Sequence, residues 1–410
     1  IAYERRYSQY DINLDKPDLI VPRARSFTVP ERLSVRGEVL TPLDEGAVDE
    51  LVAGLEACAA EAVAVCLLHS YANPAHELRL RELLLERLPD LAISLSCEVS
   101  PEAREFDRLC TTIANAYVQP LMSSYLSDFA DRFAGQGLEC PILMMTASGG
   151  MTTLQTARRY PIRLVESGPA GGAILAARVA ERAGASNVLS FDMGGTTAKL
   201  CLIDDYEPQT SRSFEISRAD RFIKGSGMPV RIPVIEMIEI GAGGGSIASV
   251  DNLGRLAVGP QSAGSEPGPA AFGRGGDEPT VTDADVALGL IEPARFAEGR
   301  LSVDEAAANA VLADKIGAAL SLDVRGAAVG VSDIVDENMA NAARMHAVES
   351  GKDLGARTMI AFGGNGPLHA TRVARRAGVA EIIIPNAPGV GSAIGFLDAP
   401  ISFEIVRSLY

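Results

Sequence analysis

The sequence predicts an α/β fold, on three observations. Apolar runs of strand length alternate with helical patterns, glycine clusters stand at the ends of those runs, and aromatic residues are scarce. The 410 residues include 40 glycines and no tryptophan, and only 5% are aromatic, which suits a chain of tight turns better than an aromatic-lined sugar or peptide binder. Hydrophobic residues make up 47% and charged residues 22%, so wholesale disorder is excluded and two or three domains are affordable at this length.

The first 40 residues read as irregular or strand-forming, punctuated by Pro22 and Pro30, with Pro42 just beyond. Residues 44–60 turn helical, with Val48, Leu51, Val52 and Leu55 on one face. Residues 62–68 form a compact apolar run of the kind found in buried parallel strands. Asn73-Pro74 opens a charged helix that ends near Pro89, and residues 91–95 read as the next strand. Residues 103–133 predict one or two long helices, with Pro120 as a break or kink. A strand at 142–145 leads into the turn Ser148-Gly149-Gly150.

A second patterned region follows. Residues 170–183 predict an alanine-rich helix, 187–192 a buried strand, and 198–203 its hairpin partner. The stretch 210–280 is rich in glycine and short β-like runs, and reads as a lobe insertion with loops. Helices are expected over 303–319, 329–350 and 368–377, with strands at 359–362 and 381–384. An apolar, strand-like segment at 401–406 closes the chain, and both ends read as cut from something longer.

The formal charge of −16 argues against an extended nucleic-acid-binding surface. Six cysteines, none in a close Cys-x-x-Cys pair, predict reduced core thiols and no disulfide scaffold. No leader pattern and no apolar run of membrane-spanning length is visible, so a soluble cytoplasmic protein is expected, with no nucleic-acid or membrane partner.

The sharpest local signal is Phe191-Asp192-Met193-Gly194-Gly195-Thr196-Thr197-Ala198-Lys199. A buried strand delivers an aspartate to its end, and two glycines allow backbone amides to approach an anion. Thr196 and Thr197 can donate to phosphate, and Asp192 can hold magnesium directly or through water. The same residues also suit an ordinary Asp-Gly-Gly hairpin whose polar groups satisfy one another. The six-residue Walker spacing is missing. A second loop, Gly363-Gly364-Asn365-Gly366-Pro367, follows an apolar strand and opens a helix, a plausible seat for a nucleotide's sugar or phosphate. The run Gly241-Ala242-Gly243-Gly244-Gly245 suits either a backbone path close to a ligand or facing lobe, or a hinge. Glu166-Ser167-Gly168-Pro169-Ala170-Gly171-Gly172 leads into a helix and could cap it or bind an anion.

Of the four histidines, His346 reads as structural, while His369 follows the Gly363 loop and either faces the cleft or packs the helix start. Asp283 and Asp285 suit a cation or, more simply, an N-cap with first-turn charge. There is no zinc-type cluster and no Gly-x-Ser-x-Gly elbow.

These two loops, in this order, resemble the hydantoinase/oxoprolinase family, specifically its hydantoinase A-type subunit. The resemblance spans the chain, through Leu68-His69-Ser70-Tyr71-Ala72-Asn73-Pro74-Ala75-His76-Glu77, Pro101-Glu102-Ala103-Arg104-Glu105-Phe106-Asp107-Arg108, Gly264-Ser265-Glu266-Pro267-Gly268-Pro269-Ala270 and Pro385-Asn386-Ala387-Pro388-Gly389-Val390. It implies a ribonuclease-H-like core duplicated in two lobes, of the sugar kinase, Hsp70 and actin type. It divides the chain into the remainder of an N-terminal lobe (1–105), a core domain (106–398) with an insertion at about 210–280, and the start of a C-terminal region (399–410).

By the same resemblance, ATP and Mg2+ would activate a cyclic amide by phosphorylating its carbonyl oxygen, and a B-type partner subunit or fused domain would complete hydrolysis. A ketone carboxylase subunit and a non-catalytic nucleotide-binding subunit are the alternatives. Asp192 would organise magnesium, and Gly194, Gly195, Thr196 and Thr197 would clamp the β/γ phosphates. Gly363, Gly364, Asn365 and Gly366 would lie on the adenosine side, with Gly243 and Gly244 close by. His369 and Asp285 are the residual catalytic candidates. Lys199 ranks lower, as a side chain expected to point along its strand. The family also implies an earlier Asp-x-Gly-Gly-Thr phosphate loop, which this chain lacks, so a partial chain is expected.

Overall fold

The computed structural model describes residues 20–216, 225–299 and 302–408. They fall into two compact units, each discontinuous in sequence. The first draws on residues up to 167, on 210–234 and on those from 400 onward; the second comprises 168–209 and 235–399. These units cut across the boundaries expected from sequence. Residues 106–167 join the first unit, and the 210–280 stretch divides between 234 and 235.

In the first unit, α1 (Val48–Ala57), β1 (Ala62–Val65), α2 (Ala75–Arg87) and β2 (Ala92–Leu95) follow the expected helix, strand, helix, strand order. β1 and β2 are parallel, with Val63 opposite Ile93. Leu55 of α1, Leu80 and Leu84 of α2, and Leu95 of β2 share one buried cluster. Next, α3 (Glu105–Gly135) runs unbroken through Pro120 for 31 residues. Proline in a helix interior costs about 3 kcal/mol, and packing of α3 along β1 and β2 offsets it. β3 (Leu143–Met145) and β4 (Met151–Thr153) close a hairpin around the glycine turn. The expected terminal strand at 401–406 is absent. Ile401 makes one bridge to Met151, and Phe403 and Ile405 stay 88% and 81% exposed, because apolar character without a neighbouring strand satisfies no backbone group.

The second unit opens with α4 (Ser167–Ala183) and is built on a mixed sheet. Its strands are β5 (Asn187–Met193), β6 (Ala198–Asp204), β7 (Ile238–Ile240), β10 (Thr358–Phe362) and β11 (Glu381–Ile383), in spatial order β7–β6–β5–β10–β11, with Glu207–Pro208 pairing on the far end of β6. Between them in sequence, β8 (Ser246–Val250) and β9 (Leu256–Ser262) form a separate antiparallel pair. β5 and β6 are antiparallel, as the double-glycine pattern predicts, with Asp192 opposite Lys199. β10 runs parallel to β5, and β7 runs antiparallel to β6. The C-terminal ends of β5, β7 and β10 therefore lie at one edge of the sheet, where open α/β sheets gather ligands.

Four helices complete the part of the unit relevant to that edge: α5 (Val281–Ala287), α6 (Glu305–Leu312), α7 (Val324–Glu349) and α8 (Gly366–Ala377). A final helix, α9, spans Gly391–Asp398. Val331, Val335 and Met339 of α7 and Val373 of α8 pack on Leu189, Phe191, Leu200 and Leu202 of the sheet. This core is fully buried, so the strand ends are held by packing that no solvent-facing change at the loops removes.

Candidate functional site

The site is built on the β5–β6 turn. Gly194 donates its amide to the Thr197 carbonyl at 3.0 Å, closing the turn. Gly195 and Thr196 are exposed. Among the described residues, the amides of Gly195, Thr196 and Thr197 donate to no other group of the protein. Three consecutive unspent donors on an exposed turn have the chemistry to receive an anion.

Asp192 stands one residue before the turn, half-buried, beside a small cleft. That cleft, of about 220 Å3, is lined by Gly168, Pro169, Asp192, Gly194, Thr197, Lys199 and Ser392. Gly168 and Pro169 lie in the first turn of α4, a 17-residue helix whose N-terminus carries partial positive charge. Ser392 Oγ donates to Asp192 Oδ2 at 3.1 Å. Burial pushes the Asp192 carboxyl above the usual range, against the opposing pull of the Ser392 hydrogen bond and the Lys199 charge.

Lys199 is more central than its sequence position suggests. Its Nζ donates to Thr197 Oγ1 and to Glu239 Oε1, both at 2.8 Å. Cross-strand register places Asp192, Lys199 and Glu239 in one row over β5, β6 and β7. The hairpin reading already implied the Asp192–Lys199 pairing, so this signal was available in the sequence. Ser392 was not; it arrives from 200 residues downstream on α9.

The other two glycine loops support the turn from behind. Gly243 and Gly244, expected to approach a ligand or a facing lobe or to act as a hinge, are buried beneath it. A methyl group on Gly243 would fall 2.6 Å from both the Gly195 carbonyl carbon and the Thr196 nitrogen, so only glycine permits the approach. Gly244 and Gly245 donate their amides to the carbonyls of Gly194 and Gly195 at 3.1 and 2.6 Å. From the other side, Asn365 donates its amide to the Met193 carbonyl and its Nδ2 to the Gly194 carbonyl, each at 3.0 Å. Gly363 adopts φ +87, and a side chain there would strike Asp192 Oδ1 at 2.5 Å. Gly364 is the exposed residue of this loop, and Gly366 is buried.

His369 and Asp285, the residual catalytic candidates, are both fully buried and do not line the cleft. The His369 ring lies between Asp336 (Nδ1 to Oδ1, 2.6 Å) and Asp285 (Nε2 to Oδ2, 3.1 Å). Position behind the turn therefore overrides the expectation that His369 faces the cleft. Asp283 adopts the capping role. Thr280 is the N-cap of α5, and Asp283 accepts from its amide and hydroxyl at 2.9 and 2.8 Å. All six cysteines are free thiols, and among the described residues no helix is long and apolar enough to cross a membrane.

The sequence profile of the hydantoinase/oxoprolinase family matches residues 108–405, and that of the family's N-terminal region matches residues 1–88. The chain belongs to the hydantoinase/oxoprolinase family. It is 38% identical to an uncharacterized protein of Methanocaldococcus jannaschii, over all of this chain and 60% of that one. It is 31% identical to the caprolactamase subunit alpha of Pseudomonas jessenii, over 98% of this chain and 56% of that one. Among solved structures it resembles nucleotide-free acetone carboxylase, from work on ATP-dependent acetone carboxylation, with TM-score 0.79 and 27% identity over 92% of this chain and 52% of that one. The chain thus spans little more than half the length of these family members.

Proposed function

We propose that this chain supplies the phosphate-handling part of an ATP-dependent enzyme that activates a cyclic amide. One observation carries the reading: in a member of a family with ATP-dependent relatives, the Asp192 cleft joins an exposed turn of unspent amides to a lysine and a helix N-terminus. The cleft is smaller than the roughly 300–1,000 Å3 of a pocket that engulfs a whole small ligand. It suits the phosphate end of ATP, with the adenosine outside it and nearer the exposed Gly364.

The residues present fit ATP with Mg2+. An underpartnered carboxylate suits the cation, and the amides of Gly195, Thr196 and Thr197 suit phosphate oxygens. Magnesium would neutralise phosphate charge that Asp192 would otherwise repel. The chain's own contribution is position. Thr197 and Lys199 hold each other, Lys199 adds positive charge, and the two supporting loops fix the turn so that its donors need no rearrangement. The phosphorylated oxygen would belong to a lactam or hydantoin carbonyl, and a B-type subunit or fused domain would complete hydrolysis. The duplicated ribonuclease-H-like architecture of the actin type and a cytoplasmic, hetero-oligomeric setting belong to this same proposal.

A second reading has its own support in the likeness to acetone carboxylase, in which the same activation would serve ketone carboxylation. The full-length protein with its partner, given ATP and a panel of lactams, hydantoins and ketones with bicarbonate, separates the two by which substrate stimulates ADP release. Asp192→Asn should lower that stimulated turnover by roughly two orders of magnitude, the scale of a lost electrostatic catalytic group. Near-normal turnover of the variant across a magnesium titration would leave Asp192 as turn architecture.

A further inference from the structure

Behind the turn, three helices meet at one imidazole. Asp285 reaches His369 from α5, Asp336 reaches it from α7, and His369 itself belongs to α8. All three side chains are fully buried. Arg372, one turn further along α8, pairs with Asp336 Oδ2, donates to Ser332 Oγ at 2.8 Å and lies 3.3 Å from His369 Nδ1. Arg376 stands 4.0 Å from Asp336. These are the charged groups facing the ring from the helices packed on it. A buried assembly of this kind is strongly destabilised when one member is removed, because the others are left unpaired.

Two arms run from this assembly to the turn. On α5, Thr282 sits three residues before Asp285, on the same helix face, and donates its amide and hydroxyl to the Gly244 carbonyl at 2.7 and 2.8 Å. Gly244 then donates to the Gly194 carbonyl. At the N-cap of α8, Asn365 sits four residues before His369 and donates Nδ2 to the same Gly194 carbonyl. One acceptor is thus held from two helices, and those helices are joined to each other by one ring.

We propose that His369 is a positioning residue, clamping α5 to α8 through Asp285 and Asp336 and thereby fixing the Gly194–Thr197 turn for phosphate. The inference rests on the phosphate reading of that turn. A clamp to both carboxylates needs both ring nitrogens to carry protons. Burial alone pushes the imidazole down, but the hydrogen bonds and charges of Asp285 and Asp336 outweigh it and raise the ring to about 9. The sign follows: the doubly donating ring is intact below the ordinary histidine range near 6.5 and is lost as pH rises through about 9. Asp285 Oδ1 is buried with no partner, so this carboxylate depends on its single bond to the ring.

The test uses the full-length protein in its native complex, with MgADP as the probe. His369→Gln should weaken MgADP binding about tenfold, a typical coupling between linked sites. It should also speed hydrogen exchange in peptides spanning 240–248, where the Gly244 and Gly245 amides are held. Wild-type affinity should fall as pH rises through about 9, and Asp285→Asn should move that fall to lower pH, a displacement that mere loss of packing would not produce. Wild-type affinity and exchange in a folded His369→Gln would overturn the clamp. Should that variant fail to fold, an unmoved alkaline limb in Asp285→Asn overturns it instead. If the wild-type complex binds no MgADP, the phosphate reading falls, while the exchange comparison still decides the clamp.

Discussion

Glu77 in the first unit and Asp192 in the second are both carboxylates drawn out of water, and their surroundings treat them in opposite ways. Glu77 is fully buried and accepts from the Leu67 amide at 2.8 Å, the Ser96 hydroxyl at 2.6 Å and the Cys97 amide at 2.9 Å. Through Ser96 it meets Arg108, which is equally buried and donates to Ser96 Oγ, the Glu102 carbonyl and the Leu67 carbonyl at 3.1, 2.8 and 2.9 Å. The Arg108 guanidinium also lies 5.3 Å from the centroid of the Tyr71 ring. Asp192 has one hydroxyl donor and an open cleft. Both stand in motifs that carry the family resemblance, so motif strength does not separate them. Saturation does: a buried charge held by three hydrogen bonds is architecture, and one left short beside a cleft is available for chemistry.

The largest expected effect breaks the saturated cluster. Arg108→Met keeps the length of the side chain but strands Glu77, Ser96 and two carbonyls. Chemical denaturation should show a loss of about 3 kcal/mol or more, the range for breaking a buried charged assembly. Asp192→Asn in the magnesium-free protein should do the reverse. Its folded carboxyl is raised by burial, so its ionisation destabilises the fold as pH rises through that raised value. The asparagine variant should therefore melt no lower than wild type at neutral pH, and any advantage should shrink as pH falls and Asp192 takes up its proton. A large stability loss in Asp192→Asn, or none in Arg108→Met, would erase the distinction between the two carboxylates.

Much of this was legible in the sequence because it is local. The β5–β6 hairpin follows from a buried run, two glycines and a second run, and the same local pattern singled out the Asp192 to Thr197 segment as the candidate site. The parallel pair β1 and β2 followed from strand-length runs on either side of a helix. What escaped was tertiary. No local pattern says whether the amides of Gly244 and Gly245 face a ligand or a neighbouring turn; here they meet the Gly194 and Gly195 carbonyls. His369 sits just past a promising loop, yet the first turn of α8 carries it inward to Asp285 and Asp336. Pro120 read as a break or kink; the helix is not broken there, and packing along β1 and β2 carries it through.

A smaller effect sharpens the cleft itself. Lys199→Met keeps most of the apolar stem and removes the charge between Thr197 and Glu239. MgADP or MgATP affinity should fall about tenfold, in the range of charge-assisted hydrogen bonds to phosphate of about 1.5–3 kcal/mol less what solvent recovers. Stability should change little, since the Lys199 pairing with Glu239 is partly exposed and such pairs contribute at most about 1 kcal/mol. An unchanged affinity would mean that Lys199 serves the hairpin alone.

The smallest expected effect concerns Ser392, the one cleft residue brought by α9. Its hydroxyl donates to Asp192 Oδ2 and so favours the ionised carboxylate against the burial that disfavours it. Ser392→Ala leaves the charge in place and removes one donor, so nucleotide affinity should fall by no more than about fivefold, the worth of one net hydrogen bond near 1 kcal/mol. The direction with pH is fixed by the same argument: with the donor gone, burial is less opposed, the carboxyl holds its proton to higher pH, and the variant's deficit should widen as pH is lowered. Calorimetric titration with MgADP at two or three pH values reads both effects. A loss as large as that of Asp192→Asn would instead place the Ser392 hydroxyl in direct contact with the ligand, and α9 would then count as part of the binding surface and not as support for Asp192.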